Sequence, residues 1–171
     1  MAGVTAEINL SIKAALTGTN DLGSPKLALD PISEVMQLSP GTDGVNKANI
    51  LFSDTRTLSA SANEDIDLAG SLSSAFGATI TAAEIVAIYV KAASGNTNNV
   101  NVTRPASNGF AGPFLATGDG MAVRPGEYVL LTSQTGWAVT AGTGDLINIA
   151  NSAGTTGVTY NIVIIGRTIA A

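Results

Sequence analysis

The residues of this chain that could do chemistry are mainly carboxylates, because the sequence contains no histidine and no cysteine. That absence excludes thiolate nucleophiles, disulfides, zinc sites and any base or triad that depends on histidine. The densest acidic group is Asn63-Glu64-Asp65-Ile66-Asp67, and oxygen-rich clusters of this kind can hold Ca²⁺. The group lacks the glycine turn and the distal glutamate of a calcium loop. We therefore expect no metal site, and a strand edge on which Asp65 and Asp67 point to solvent.

Paired carboxylates could also hydrolyse a glycosidic bond, with one acting as acid and the other as base or nucleophile. Nothing in their spacing singles out a pair, and the sequence offers one Trp, three Tyr and four Phe to line a sugar groove. We therefore expect that the protein is not an enzyme and uses no cofactor. The candidate carboxylates are Glu64, Asp65, Glu84, Asp119, Glu127 and Asp145, of which we expect Asp119 to form an Asx turn.

Three other side chains are candidates for contact with a partner molecule. Arg104 and Arg124 each precede a proline, which favours an extended backbone and places each guanidinium near a strand end. There it meets either a partner's carboxylate or solvent. We expect Trp137 in the core or in a subunit interface, with stacking on a sugar as a further alternative.

The stretch from Ser94 to Phe110, SGNTNNVNVTRPASNGF, is rich in Asn, Ser, Thr and Gly and carries no charge except Arg104. It follows a strongly apolar segment and contains Val100 and Val102, which alternate with polar residues. Asn and Gly readily adopt the positive φ of hairpin turns. We interpret the start of the stretch as a turn between two strands, with a binding loop as the alternative.

The composition favours assembly over catalysis. Charged residues make up 12% of the chain, against roughly 25% in an ordinary globular domain. Some apolar surface is therefore left uncovered, and such surface usually binds a partner. The net charge of −5 and the scattered basic residues disfavour nucleic acid and anionic membranes as partners.

From residue 48 to 171 the sequence predicts a compact all-β body. About eight short apolar segments alternate with turn signals, which is typical of a β-sandwich or jelly roll. Residues 84–92 form the strongest core strand and are apolar on both faces. We also predict a short helical turn at residues 71–77 and strands at residues 112–116, 127–132 and 136–140.

Residues 1–47 predict an extended N-terminal arm with one long amphipathic strand. Apolar residues alternate with polar ones at period 2 from Val4 to Leu16, which a helix cannot sort onto one face. If this strand pairs with a neighbouring chain, it buries Ile8, Leu10 and Ile12.

Several segments within residues 50–166 resemble small structural proteins of tailed bacteriophages, in particular capsid decoration or cement proteins. These segments are LFSDTRTLSASANEDIDLAGSLSSAFGATIT, KAASGNTNNVNV, ASNGF, VRPGEYVLL and GWAVTAGTGDLINIANSAGTTGVTYNIVIIG. The resemblance implies a β-rich homotrimer on the exterior of the virion, bound to the major capsid protein and stabilising the shell. The alternative is a tail-fibre or receptor-binding module that binds carbohydrate through Trp137, Tyr128 and the Asn-rich loop.

Overall fold

A computed structural model describes residues 3–170, and within them the chain forms β-strands and no helix. The strands are β1 (Ala6–Ile12), β2 (Ala15–Thr17), β3 (Lys26–Ala28), β4 (Ile32–Pro40), β5 (Lys47–Ala48), β6 (Ile50–Leu58), β7 (Asn63–Asp67), β8 (Ala69–Ser73), β9 (Thr79–Thr81), β10 (Glu84–Ala92), β11 (Val100–Thr103), β12 (Gly120–Val123), β13 (Tyr128–Ala138), β14 (Leu146–Asn151) and β15 (Val158–Arg167). The predicted all-β class is confirmed.

Two four-stranded antiparallel sheets form the body. The first sheet has the strand order β13-β10-β15-β6, and the second has the order β12-β11-β14-β7. Apart from the β11–β12 hairpin, successive body strands alternate between the two sheets. This is the strand order of an eight-stranded jelly roll, in which two Greek keys form a β-sandwich.

The main core lies between the two sheets and follows the period-2 pattern of the strands. On β14, Ile147 and Ile149 are buried while their neighbours are partly exposed, and on β11 the buried residues are Val100 and Val102. Tyr160 supplies a fully buried ring from β15. The alternation in the sequence therefore identifies the face of each strand that is buried.

A smaller second core covers the outer face of the first sheet. Val86, Ala87 and Ile165 project from β10 and β15 on this side, and residues from the start of the chain cover them. This explains why β10 is apolar on both faces, because each of its faces meets a separate core. The covering residues are Val4, Ala6, Ile8, Met36, Leu38 and Ala48.

Strands β1 to β4 form a long two-stranded hairpin, which we call the ribbon (residues 6–40). β1 pairs with β4, and β2 pairs with β3 nearer the tip, where Asn20 and Gly23 bridge the turn. The predicted long strand is therefore β1 and β2, and each of them pairs with a returning strand of the same chain. The division into an arm and a body at residues 47 and 48 stays a prediction.

The register of the ribbon changes in its middle. Ile12 faces Ile32 in the inner segment, whereas Ala15 faces Ala28 in the outer segment, so residues 13–14 oppose residues 29–31. The extra residue makes a bulge that contains Pro31, whose lack of an N–H suits a position outside the regular ladder.

Three predicted local elements are wrong. Residues 71–77 form part of a β8–β9 hairpin instead of a helical turn, and residues 112–116 form a loop instead of a strand. The segments predicted as two strands at 127–132 and 136–140 belong to one strand, β13, whose pairing with β10 is interrupted by a bulge between Thr132 and Trp137, where Gly136 has a positive φ of 85°. Strand β12, Gly120–Val123, was not predicted.

Candidate interaction surface

Glu64, in the acidic stretch, joins the two sheets at one edge of the sandwich. Its Oε1 accepts a hydrogen bond from the Tyr160 hydroxyl at 2.8 Å, and its Oε2 accepts one from the Arg56 guanidinium. Arg56 also contacts Asp54 at 3.1 Å. Both oxygens of the Glu64 carboxylate therefore bond within the protein, and the cluster links the edge strands of the two sheets.

The electrostatics of the cluster agree with that role. Burial, together with the hydrogen bond to the Glu64 carboxylate, raises the pKa of the Tyr160 phenol well above its usual range. Desolvation opposes the charge of Arg56, but its hydrogen bond and its attraction to Glu64 outweigh that effect and raise the pKa of Arg56. The phenol stays neutral and the guanidinium stays charged.

The other carboxylates of the acidic stretch and the nearby turns also bond to the protein. Asp65 accepts a hydrogen bond from Asn148 at 2.7 Å, and Asp67 accepts one from the backbone N–H of Ala69 at 2.9 Å. The Asp119 carboxylate stabilises a turn by accepting hydrogen bonds from the backbone N–H groups of residues 115 and 116. These donors precede Asp119 in the chain, whereas in the expected Asx turn the donor follows the aspartate. Within residues 3–170, no three His, Cys, Asp or Glu side chains lie close enough together to hold a metal ion.

Two carboxylates are buried. Glu84 forms an ion pair with Arg167, whose side chain is fully buried. Asp145 is 4% exposed; its Oδ2 accepts a bond from the N–H of Gly142, and its Oδ1 has no protein partner in the described part of the chain. Neither carboxylate lines the groove around Phe76 or the two grooves along the ribbon.

The Asn-rich stretch is a structural element of the body. Asn98 is 7% exposed, and its amide nitrogen lies within hydrogen-bond distance of Asn151 Oδ1 at 3.0 Å and of the Thr156 carbonyl at 3.0 Å. Asn96 bonds in both directions to the backbone of Thr159, at 2.9 Å each. The interpretation as a turn agrees with these bonds, because the asparagines bond to the protein's own backbone.

The predicted partner-contact residues do not form one site. Arg104 is half-buried and donates to the Gly109 carbonyl at 3.3 Å, whereas Arg124 is exposed. Trp137 is half-buried against the main core and pairs with Ile85 across the sheet. Tyr128 lies at the other end of β13, roughly 25–30 Å away at 3.3 Å per residue, so these two rings do not line a common sugar site.

The ribbon carries the largest group of exposed apolar side chains in the described residues. Ile8 is half-buried in the second core, but Leu10 and Ile12 are 49% and 44% exposed. Large apolar side chains are also exposed on the returning strands and at the tip, where Leu22 is 99% exposed. The other members are Leu16, Leu27, Leu29, Ile32 and Val35.

Most of the large apolar side chains in each segment of the ribbon share one face. In the inner segment, Leu10 and Ile12 lie on the same face as Ile32 and Glu34, while the opposite face carries Asn9, Ser11 and Val35. In the outer segment, Leu16 pairs directly with Leu27. A two-stranded hairpin is at best marginally stable alone in water, so an apolar face of this length needs a partner surface.

The sequence pattern identified only half of this surface. Leu10 and Ile12 follow from the alternation in the first strand, but Leu27, Leu29 and Ile32 lie on the return strands. A pairing partner for the first strand inside the same chain was not predicted, because Pro31 divides the return into two short stretches. The sequence feature that could have predicted this pairing is the alternation of apolar and polar residues on both sides of Pro31.

Comparisons with protein-family models, curated proteins and solved structures gave no match. In residues 3–170 there is no helix that is long and apolar enough to cross a lipid bilayer.

Proposed function

We propose that this protein is a bacteriophage capsid decoration protein that binds the major capsid protein on the exterior of the virion and stabilises the shell. The observation that carries the proposal is the exposed apolar face of the ribbon. The resemblance of residues 50–166 to small phage structural proteins supports the same function. A jelly roll alone would not support it, because lectins and cupins share that architecture.

The outer segment of the ribbon (residues 13–31) is the part that we assign to the shell. It carries Leu16, Leu22 and Leu27, which are 72%, 99% and 72% exposed. Its charges balance, with Lys13 and Lys26 against two aspartates. The segment can therefore approach an apolar groove between shell subunits without a net charge that would repel a partner of either sign.

The energy of such a contact is sufficient when several copies act together. Full burial of one leucine contributes roughly 1.5–3 kcal/mol, and three exposed leucines therefore contribute several kcal/mol before the cost of association. Copies linked to one another bind with a much higher effective concentration than single copies. Many modest contacts then stabilise an expanded shell against internal pressure.

The test is a variant in which residues 13–31 are replaced by Asn-Gly, a favoured two-residue hairpin turn, between Ile12 and Ile32. These two residues already face each other, so the shortened ribbon closes without disturbing the second core. Cosedimentation with expanded, undecorated capsids measures binding. We expect the intact protein to bind in a fixed stoichiometry and to raise the capsid melting temperature, and the variant to lose both effects.

A matched control replaces Leu115, which is 96% exposed in a loop of the body, with Glu. This variant should bind capsids like the intact protein. If the intact protein does not bind at micromolar concentration, or if the shortened ribbon binds as tightly as the full one, the proposal is wrong.

A receptor-binding tail module is the second candidate, favoured by the exposed ring of Tyr128, which lies 5.7 Å from Tyr89 and could stack on a sugar. Quantitative mass spectrometry of purified virions separates the two functions. Hundreds of copies for each virion support the capsid, whereas a few dozen support the tail.

A further inference from the structure

The inner segment of the ribbon extends an apolar strip beyond the body. Ile8 and Met36 face each other at its base and pack against the outer face of the first sheet. Leu10, Ile12 and Ile32 continue the same face outwards and are 49%, 44% and 45% exposed. We call these three residues the strip. The side chains of the strip are apolar like those at the base of the ribbon. The strip therefore suits the same kind of surface, the apolar face of a β-sheet.

The outer face of the first sheet is only partly covered. Beside the base of the ribbon lies a groove of about 240 Å³, lined by Glu7 and Ile8 of the ribbon and by residues of the sheet such as Val163. Tyr89 and Leu130 line it, and Tyr128 next to them is 64% exposed. We call Tyr89, Tyr128 and Leu130 the receiving face.

Strip and receiving face do not cover each other within one copy, since Ile12 and Tyr128 both remain exposed. We infer that the strip of one copy packs on the receiving face of a second copy of this chain. The inference deepens the proposed function, since it names the partner of the inner segment, and the outer segment remains assigned to the shell.

A second copy fits this contact in chemistry and in area. Glu34 lies across from Leu10 on the strip's face of the ribbon and Lys91 lies across from Tyr128, and the opposite charges of these two side chains favour association. When two copies exchange strips as a reciprocal pair, strip and receiving face together bury roughly 500 Å² of apolar surface on each copy, to which a polar rim adds. This approaches the roughly 800 Å² for each partner of a specific interface, whereas a single contact buries about half as much.

Because the strip and the receiving face are different surfaces, a single contact is heterologous, and it closes when two copies exchange strips as a reciprocal pair or when several copies form a ring. The contact also extends the second core across the boundary between copies. Leu10 and Ile12 then occupy, on the neighbour, the kind of surface that Ile8 occupies on its own sheet.

Disulfide trapping tests this contact directly, because the chain has no cysteine of its own. Ile12→Cys protein is mixed with Tyr128→Cys protein that carries a mass tag, and the mixture is oxidised. We expect a cross-linked species whose mass is the sum of the two chains. In the control, Leu115→Cys replaces Tyr128→Cys, and this species should be at background level; equal yields in the two mixtures would overturn the inference.

Sedimentation gives a second, independent measurement. Ile12→Glu places a charge on the strip, whereas Val35→Glu places one on the opposite face of the ribbon, where Val35 is 54% exposed. We expect Ile12→Glu to weaken self-association at least about tenfold and Val35→Glu to leave it within about twofold. A monomeric intact protein at about 100 μM, well above the dissociation constant of a specific oligomer, contradicts the inference.

The outcomes are separable from those of the proposed function. Capsid binding without self-association overturns only the inference about the second copy. Self-association without capsid binding overturns only the decoration function, because the oligomer is measured without capsids.

Discussion

Arg167, at the end of β15, is fully buried and forms an ion pair with Glu84 at the start of β10. Its guanidinium also donates to the Gly44 carbonyl at 2.6 Å and to the Thr135 carbonyl. One side chain therefore joins two strands of the first sheet, the bulged region of β13 and the loop that follows the ribbon. This pair sets the position of the ribbon's base relative to the body.

Replacing Arg167 with Met should lower the free energy of unfolding by about 3–5 kcal/mol, because it leaves the Glu84 carboxylate buried without its guanidinium. Urea unfolding followed by the fluorescence of Trp137, the single tryptophan, measures the change. The double variant Arg167→Met/Glu84→Leu removes both charges and should recover part of the loss. A double variant that is less stable than Arg167→Met would show that the isolated carboxylate is not the cause.

Gly136→Ala should be more damaging than Gly142→Ala, although both glycines have a positive φ, of 85° and 74°. A Cβ at Gly136 would lie 2.8 Å from the Arg167 guanidinium and 2.8 Å from the Glu84 carboxylate, whereas a Cβ at Gly142 meets nothing within 4 Å. Gly142→Ala therefore reports backbone strain alone, about 1 kcal/mol. We expect an additional loss of about 1–3 kcal/mol for Gly136→Ala from crowding, and equal losses would contradict it.

Asn98→Ala should lower the free energy of unfolding by about 2–3 kcal/mol, because it removes a buried amide that donates to Asn151 Oδ1 and to the Thr156 carbonyl and that accepts from the Thr155 hydroxyl. Asn101→Ala is the matched control, since Asn101 is half-buried on β11 outside this network. Its loss should stay below about 1 kcal/mol. If the two variants unfold at the same urea concentration, the Asn98 network does not stabilise the body.

Stability should fall as the pH rises above about 10, and Tyr160 should be one cause. Its pKa in the folded protein is raised above the ordinary value of 10.0, so the unfolded chain releases this proton first and is favoured at alkaline pH. Below pH 10 the Tyr160 phenol is protonated in both the folded and the unfolded chain, and its contribution to the free energy of unfolding is fully present. Tyr160→Phe should be about 1–2 kcal/mol less stable at pH 7 and lose less stability between pH 9 and 11; unfolding curves at both pH values test this.

The sequence predicted the parts of the fold that depend on local alternation. Residues 84–92 were predicted as a core strand and form β10 with the same bounds. The sequence showed that both faces of this strand are apolar, but it did not show what covers the second face. The covering residues Met36 and Leu38 lie about 50 positions earlier in the chain. Contacts at such separation leave no local pattern.

The missed elements have similar causes. The predicted strand at residues 112–116 is a loop because Gly112 packs on the ring of Phe110, so the chain turns instead of pairing. Strand β12 was not predicted, because its apolar residues Met121 and Val123 follow a turn rich in glycine. On the candidate surface, Leu10 and Ile12 could be predicted, whereas Ile32 required the pairing of β1 with β4.

The second core also constrains the order in which the chain can fold during synthesis. Ile8 belongs to the same cluster as Ile165, which the ribosome adds roughly 150 residues later. At 5–20 residues each second, the ribbon waits roughly 8–30 s before its docking surface exists. During that interval Ile8, Met36 and Leu38, which docking later buries, are exposed on the nascent chain together with the leucines that stay exposed after folding. Newly made protein is therefore most vulnerable to premature aggregation before its last strand is complete.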